Sequence, residues 1–256
     1  MLKRVLLILS ISAISMTINA INYSVSFSKV KSHYVTVDVE FNVRDKAYVD
    51  FKVPVWTPGS YKVREFSNAF ENVSADNLEI KRLNKNTWRI FTGVQSQVSL
   101  SYDVYCFTVS VRQSYADEYY AFLHGVSVFG YIDGYENEQI DLTIHPNDNW
   151  ANVEVSLPRT KNSKYSYRCS NYDLLADSPL AIGNFDTIDY TSGDVPHKIV
   201  MIGKGNYDLK KVMEDFKKIS DTQIEMMGSH PSSQYVHFIY NVSQGGGGLE
   251  HANSQT

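Results

Sequence analysis

Ile21-Asn22-Tyr23-Ser24-Val25-Ser26-Phe27, followed by Val35-Thr36-Val37-Asp38-Val39-Glu40-Phe41, decides the fold class of this 256-residue chain. Apolar residues occupy every second position in both stretches. A period of two marks strands with one buried and one wet face. Further strands are predicted at 47–53, 87–91, 97–111, 139–145, 151–157 and 198–202. Turn chemistry separates them: Pro58-Gly59, Asp133-Gly134, Pro146-Asn147-Asp148 and Ser192-Gly193-Asp194. Aromatic residues make up 13% of the chain, with 18 tyrosines, a mix that favours strands over helical bundles. Many short strands without regular helical alternation predict a mainly β fold, a β-sandwich or related layered sheet.

The first twenty residues read as a leader. Lys3 and Arg4 open it, the apolar run from Val5 to Ile14 is broken only by Ser10 and Ser12, and Ile18-Asn19-Ala20 ends on a small residue. This is the layout of a secretory signal peptide and too short for a membrane span; the alternative is an uncleaved anchoring or buried helix. Cleavage after Ala20 would leave 22 basic against 28 acidic residues, a net charge near −6. An acidic mature chain without a basic patch argues against nucleic acid and anionic membranes as partners, and no membrane partner is expected after signal cleavage. The predicted location is periplasmic or secreted. Only Cys106 and Cys169 are present. One disulfide is allowed by compartment and two buried thiols are equally allowed, but no Cys/His spacing resembles a structural zinc site.

The texture changes after Gly205. Leu209, Val212, Met213, Phe216, Ile219 and Met227 lie close to helical spacing, with Asn206 as N-cap and Gly228 and Pro231 as the stop. The pattern predicts a helix over 207–227 and a strand over 234–240. A domain boundary therefore falls near 203–206, with an N-terminal β domain over 21–205 and the start of an α/β domain over 206–256. The strand empties into Gly245-Gly246-Gly247-Gly248-Leu249-Glu250-His251. Bare backbone there lets a ligand or another main chain approach, and a carboxylate follows at once. Such a segment can seat an extended peptide and fix a charged amine, or be a flexible loop before ordinary surface residues. It does not cradle phosphate: no Lys-Ser/Thr follows the glycines, and a glutamate would face the anion.

Two other segments carry chemistry-bearing residues. Pro54-Val55-Trp56-Thr57-Pro58-Gly59-Ser60-Tyr61 makes a rigid turn with a large apolar anchor, either an aromatic sugar platform or a corner packed under a sheet. Residues 115–134 are rich in Tyr, Phe and acid. Asp117 and Glu118 are adjacent, so on a strand they would point to opposite faces and make a poor acid/base pair; a loop or strand at a domain interface is the simpler assignment. None of the seven histidines begins an H-E-x-x-H pair, no G-x-S-x-G elbow is present, and neither cysteine carries a protease signature. By itself the sequence contains no complete catalytic constellation and no metal-ligand set.

Taken together, four segments resemble the glycyl aminopeptidase family of zinc metallopeptidases. Pro54-Val55-Trp56-Thr57-Pro58-Gly59-Ser60-Tyr61 with Arg64-Glu65-Phe66 is similar to its P-x-W-x-P-G-S-Y…R-x-F signature. Tyr102-Asp103-Val104-Tyr105 with Val111-Arg112 is similar to its Y-x-V-Y…V-R element. Ala176-Asp177-Ser178-Pro179 with Gly183-Asn184-Phe185 resembles its D-S-P…G-x-F stretch, and Gly247-Gly248-Leu249-Glu250-His251…Ser254 its G-G-L-E-H-x-x-S motif. The resemblance implies an N-terminal β domain packed against a thermolysin-like catalytic domain. It implies that Gly247 and Gly248 contact substrate backbone and that Glu250 binds the free α-amino group of a peptide; His251 has no assigned role.

The zinc cofactor of the intact enzyme, with its H-E-x-x-H helix, is expected beyond Thr256. No metal ligand or catalytic residue is therefore assigned here, and the 256-residue piece is expected to be inactive alone. The intact enzyme is expected to remove Gly- or Ala-type residues from the N-terminus by metal-hydroxide attack on the first peptide bond. The rival expectation is a non-catalytic secreted β-sandwich that binds peptide or glycan.

Overall fold

A computed structural model describes residues 20–161, 163–242 and 246–256. The leader read at 1–20, apart from Ala20, lies outside the described residues, as does Gly245. The chain begins with β1 (Ile21–Ser26), β2 (Tyr34–Asn42), β3 (Tyr48–Lys52), β4 (Phe70–Ala75), β5 (Ile80–Asn84) and β6 (Thr87–Phe91). Then come β7 (Gln97–Tyr105), β8 (Tyr115–Ala116), β9 (Tyr120–Leu123), the helical turn α1 (Gly125–Val128) and β10 (Tyr131–Ile132). β11 (Ile140–His145), β12 (Asn152–Val155), β13 (Ser166–Cys169), the short helix α2 (Tyr172–Ala176) and β14 (Leu180–Gly183) follow. The last elements are β15 (Asp186–Ser192), β16 (Val195–Ile202), helix α3 (Leu209–Met227), β17 (Tyr235–Tyr240) and β18 (Ser254–Gln255).

The two alternating stretches sit at the centre of the largest sheet, ordered β13-β11-β1-β2-β7-β4. β1 runs antiparallel to β2, with Tyr23 opposite Val39 and Val25 opposite Val37, and parallel to β11. Their apolar positions are all buried, and the polar ones between them face outward. A second sheet, β10-β3-β6-β5, and a third, β12-β14-β9-β8, complete the β layers. Tyrosines tie the layers together through their hydroxyls. Tyr23 donates to the Gly130 carbonyl (2.8 Å), Tyr172 to Phe129 (2.6 Å) and Tyr102 to Val128 (3.1 Å). Each such side chain buries a large ring and still satisfies its polar end, which is what makes tyrosine usable in a core. Cys106 and Cys169 are separate buried thiols, and burial pushes the Cys169 thiol up to about 12.

The fourth sheet, β15-β16-β17-β18, is built differently. β16 and β17 are parallel and α3 makes the crossover between them, as parallel neighbours require. One face of this sheet packs Tyr190, Ile199 and Met201 against Val212, Met213 and Phe216 of α3. The other face packs Val200, Ile202, Val236 and Phe238 against Phe122 of β9 and Ala181 of β14. Phe122 meets Phe238 and Tyr240 edge-on, at 5.7 and 5.1 Å between ring centres. The aromatic segment 115–134 thus supplies the β-layer side of a seam. β15 and β16 lie before the boundary drawn at 203–206, which falls within the connection from β16 to α3.

Two local expectations need correction. Asp208, not Asn206, caps α3: its carboxylate accepts from the amides of Lys210 and Lys211, a charge-assisted version of the same cap. The strand drawn over 97–111 ends at Tyr105, because the chain then turns so that Thr108 N–H reaches the Ser114 carbonyl (3.1 Å). At the other end of α3, Gly228 takes the left-handed conformation (φ 80°) and closes the helix on Ile224.

Candidate substrate-binding site

The chain end folds into a tight hairpin. Leu249 and Thr256 exchange both backbone hydrogen bonds (2.9 and 2.8 Å), His251 N–H donates to the Ser254 carbonyl (2.8 Å), and Glu250 bridges Gln255. β18 lies parallel to β17, with Ser254 beside Val236. The hairpin arm carrying Glu250 is therefore outermost on this side of the sheet. An unpaired edge of this kind is the template an extended peptide can extend. Glu250 is exposed and makes no side-chain hydrogen bond or ion pair to a described residue.

The described glycines before it are not demanded by packing, although Gly247 (φ 159°) takes a backbone conformation that other residues rarely adopt. A Cβ added at Gly246 would meet nothing within 4 Å, at Gly248 only the Thr256 carbonyl at 3.9 Å, and at Gly247 only Val111 Cγ2 at 3.7 Å. Beside them is a groove of about 390 Å³ lined by residues 109–112, residues 238–240, Val242, Gly246, Gly247 and Thr256. A second groove of about 600 Å³ lies where the hairpin ends, between Ala252, Asp177, Pro58 and Trp56. Of the two alternatives for its turn, Trp56 does not fit the corner packed under a sheet; it is 51% exposed and lines this groove.

What anchors the turn is the hairpin itself. Gly59 has φ 73°, and a Cβ there would lie 2.6 Å from Leu249 Cδ1, so the turn closes directly on the buried Leu249 side chain. Arg64 braces that turn by donating to Ser60 Oγ from Nε (3.2 Å) and Nη2 (3.0 Å). From another direction, α2 delivers Asp177. Asn171 caps α2 by accepting from Leu174 N–H (2.9 Å), and Asp177 follows the last helical residue. Its two carboxylate oxygens then take one donor each: His251 Nδ1–H on Oδ1 and Ala252 N–H on Oδ2, both at 2.8 Å. The His251 side chain is only 1% exposed. Hydrogen bonds to a charged group contribute about 1.5–3 kcal/mol, more than neutral ones.

His124 completes the cluster. Gly125 lacks a Cβ, which would sit 2.5 Å from the carbonyls of Leu175 and Ala176, so α1 approaches the end of α2 at main-chain distance. That approach sets the His124 ring 5.5 Å from the His251 ring. Burial, reinforced by His251, Arg112 and Arg64, pushes His124 down to about 3, so it is neutral at pH 7. Both its ring nitrogens and His251 Nε2 are buried without a hydrogen-bond partner among the described residues.

Of the residues predicted for the site, Gly247, Gly248 and Glu250 stand together on the exposed edge. The other three segments quoted apart from one another converge on the fourth, the hairpin: Gly59 on Leu249, Val111 beside Gly247 and Asp177 on His251. Asp177 and His124 received no role from sequence. The D-S-P stretch was the one available signal for Asp177; nothing pointed to His124. Among the described residues no group of three or more His, Cys, Asp or Glu side chains is arranged to hold a metal ion. The zinc implied by the resemblance therefore finds no ligand set in these residues.

The chain is thus a layered β domain joined through an aromatic seam to a βαβ sheet with a glycine-rich acidic edge. The sequence profile of the Peptidase M61 N-terminal domain matches residues 22–184, and the chain belongs to that family. Its fold is similar to that of an aminopeptidase N family protein from Idiomarina loihiensis, with a TM-score of 0.87 and 28% identity over 92% of this chain. The chain spans 41% of that protein's length. A zinc metallopeptidase from Deinococcus radiodurans, solved with a Tyr-Ser-Ala substrate, shares the fold at TM-score 0.57 and 9% identity, over 93% of this chain and 59% of its own. An aminopeptidase A from Legionella pneumophila does so at TM-score 0.52 and 9% identity, over 86% and 28%. No curated protein matches the chain.

Proposed function

We propose that this chain is the N-terminal part of an exported, zinc-dependent aminopeptidase of the glycyl aminopeptidase type, acting on peptides with a free N-terminus. The observation that carries the proposal is the state of Glu250. Its carboxylate has no hydrogen-bond or ion-pair partner among the described residues and stands on an open strand edge, two positions after Gly248, in a run whose described glycines no packing contact requires. A peptide laid along that edge would pair its main chain with residues 246–248 and bring its ammonium group to Glu250. One carboxylate against one ammonium limits how far a peptide can enter, so a single residue would project past it. The zinc ligands belong to sequence outside this chain; what these residues supply is the substrate side of the cleft. The 41% share of the Idiomarina protein's length supports that division.

Replacing Glu250 by Gln in the full-length enzyme removes the charge and keeps the shape. kcat/KM for aminoacyl p-nitroanilides should fall about 10–100-fold, matching the ~1.5–3 kcal/mol of a hydrogen bond to a charged group, with KM rising. An unchanged kcat/KM would refute the anchor role. Export rests on the leader at 1–20. The mature protein should begin at Ile21, and an intact mass that retains residues 1–20 would remove the basis for placing it in the periplasm or outside the cell.

A further inference from the structure

We propose that Asp177 is the positioning residue of this site: it locks the Glu250 hairpin onto the β domain through His251 and Ala252. This rests on the amine-anchor role proposed for Glu250 and extends it to the residue that fixes where that anchor stands. The two donors on Asp177 come from consecutive residues immediately after Glu250, one from a side chain and one from the backbone. A carboxylate that takes both on separate oxygens fixes the direction of the main chain there, which one hydrogen bond would leave free to pivot. His251 must carry its proton on Nδ1 to donate, so Asp177 also sets its tautomer. The carboxylate itself is held by an element with its own cap, α2, whose end is packed at main-chain distance against α1. On the far side of the hairpin, Leu249 is clamped by Gly59. Glu250 thus stands between two fixed points, both supplied by the β domain, while its own side chain makes no hydrogen bond or ion pair to a described residue. A carboxylate meant to receive an ammonium needs this arrangement, because a misplacement of about 1 Å can cost about a hundredfold in rate.

Two measurements separate the lock from the anchor. The first is hydrogen exchange of residues 246–256 in the 256-residue chain bearing Asp177→Asn, which keeps the shape and loses the charge and one acceptor. The Leu249, Ala252 and Thr256 amides should exchange at least about tenfold faster, while β1, β2 and β7 keep their protection. Unchanged exchange in the hairpin overturns the lock. The second is a double-mutant cycle in the full-length enzyme with Asp177→Asn and Glu250→Gln. Asp177→Asn alone should raise KM about tenfold or more with a smaller change in kcat. In the Glu250→Gln background it should add little, because it acts through that carboxylate. Additive effects overturn positioning. If Glu250→Gln alone leaves kinetics unchanged, the amine-anchor role fails, and the positioning role fails with it even where exchange shows the lock. If Asp177→Asn does not fold in the full-length enzyme, His251→Gln serves in the same cycle, since it removes one of the two donors and keeps the Ala252 bond; the same additive outcome overturns the proposal.

Discussion

The absence of a side chain at position 59 lets its turn close directly on Leu249. Gly59 sits at φ 73°, where a side chain is strained, and its Cα faces Leu249 so closely that a Cβ would lie 2.6 Å from Cδ1. Gly59→Ala should therefore lower stability by about 1–3 kcal/mol, combining backbone strain with overpacking. The shift would be read from the denaturant midpoint. The two parts separate in a second variant: trimming Leu249 to Ala removes the collision but not the strain. Gly59→Ala should cost less in the Leu249→Ala background, and an equal cost in both would mean that the turn does not close on the hairpin. The same residue shows what sequence can and cannot disclose. A Pro-Gly pair announces a turn by its own chemistry. That the turn is shaped to receive Leu249, 190 positions later in the chain, is a property of the assembled layers.

At the scale of elements, legibility follows burial. β1 and β2 were plain because each has one buried face, so the polar residues between record the period. β5 (Ile80–Asn84) has no buried residue and β14 (Leu180–Gly183) has nothing but buried ones; neither alternates, and neither could be read as a half-buried strand. The helix at 209–227 was legible from its apolar stripe, yet only part of the stripe is used. Val212, Met213 and Phe216 meet the sheet, whereas Ile219 and Met227 are exposed, and Ser220 is the one buried residue of α3. With so little of its surface packed, α3 derives little stability from tertiary contact. Its amides should exchange at least about tenfold faster than those of β2 and β7 in the 256-residue chain, since local opening needs less than global unfolding. Equal protection through Tyr240 would mean that the βαβ sheet and the β domain open as one cooperative unit.

For the whole molecule, three buried neutral histidines couple stability to pH. Burial, with help from neighbouring cations, pushes His124 down to about 3; burial, then His197 and His230, does the same to His237; and burial, then His230, takes His197 to about 4. They sit in both halves of the structure, His124 under the hairpin and the other two where α3 covers the sheet. In the unfolded chain each titrates near about 6.5. Between that value and their folded values the unfolded state binds protons that the folded state excludes, so stability is complete above about pH 6.5 and falls as the pH drops. Each contributes up to ~1.4 kcal/mol per pH unit. Carboxylates do not account for this window: Asp50, held below the usual range by its hydrogen bonds to Arg89, loses its contribution only as pH falls below the unfolded carboxylate value of about 3.9. Unfolding at pH 5 should therefore take up about three protons more than unfolding at pH 8, measurable from the pH dependence of the denaturant midpoint at constant m. A midpoint that does not move between pH 7.5 and 5 would show that these rings protonate in place. The folded seam and sheet would then have to admit water or a counter-charge at His124, His197 and His237, contrary to the burial that makes them neutral.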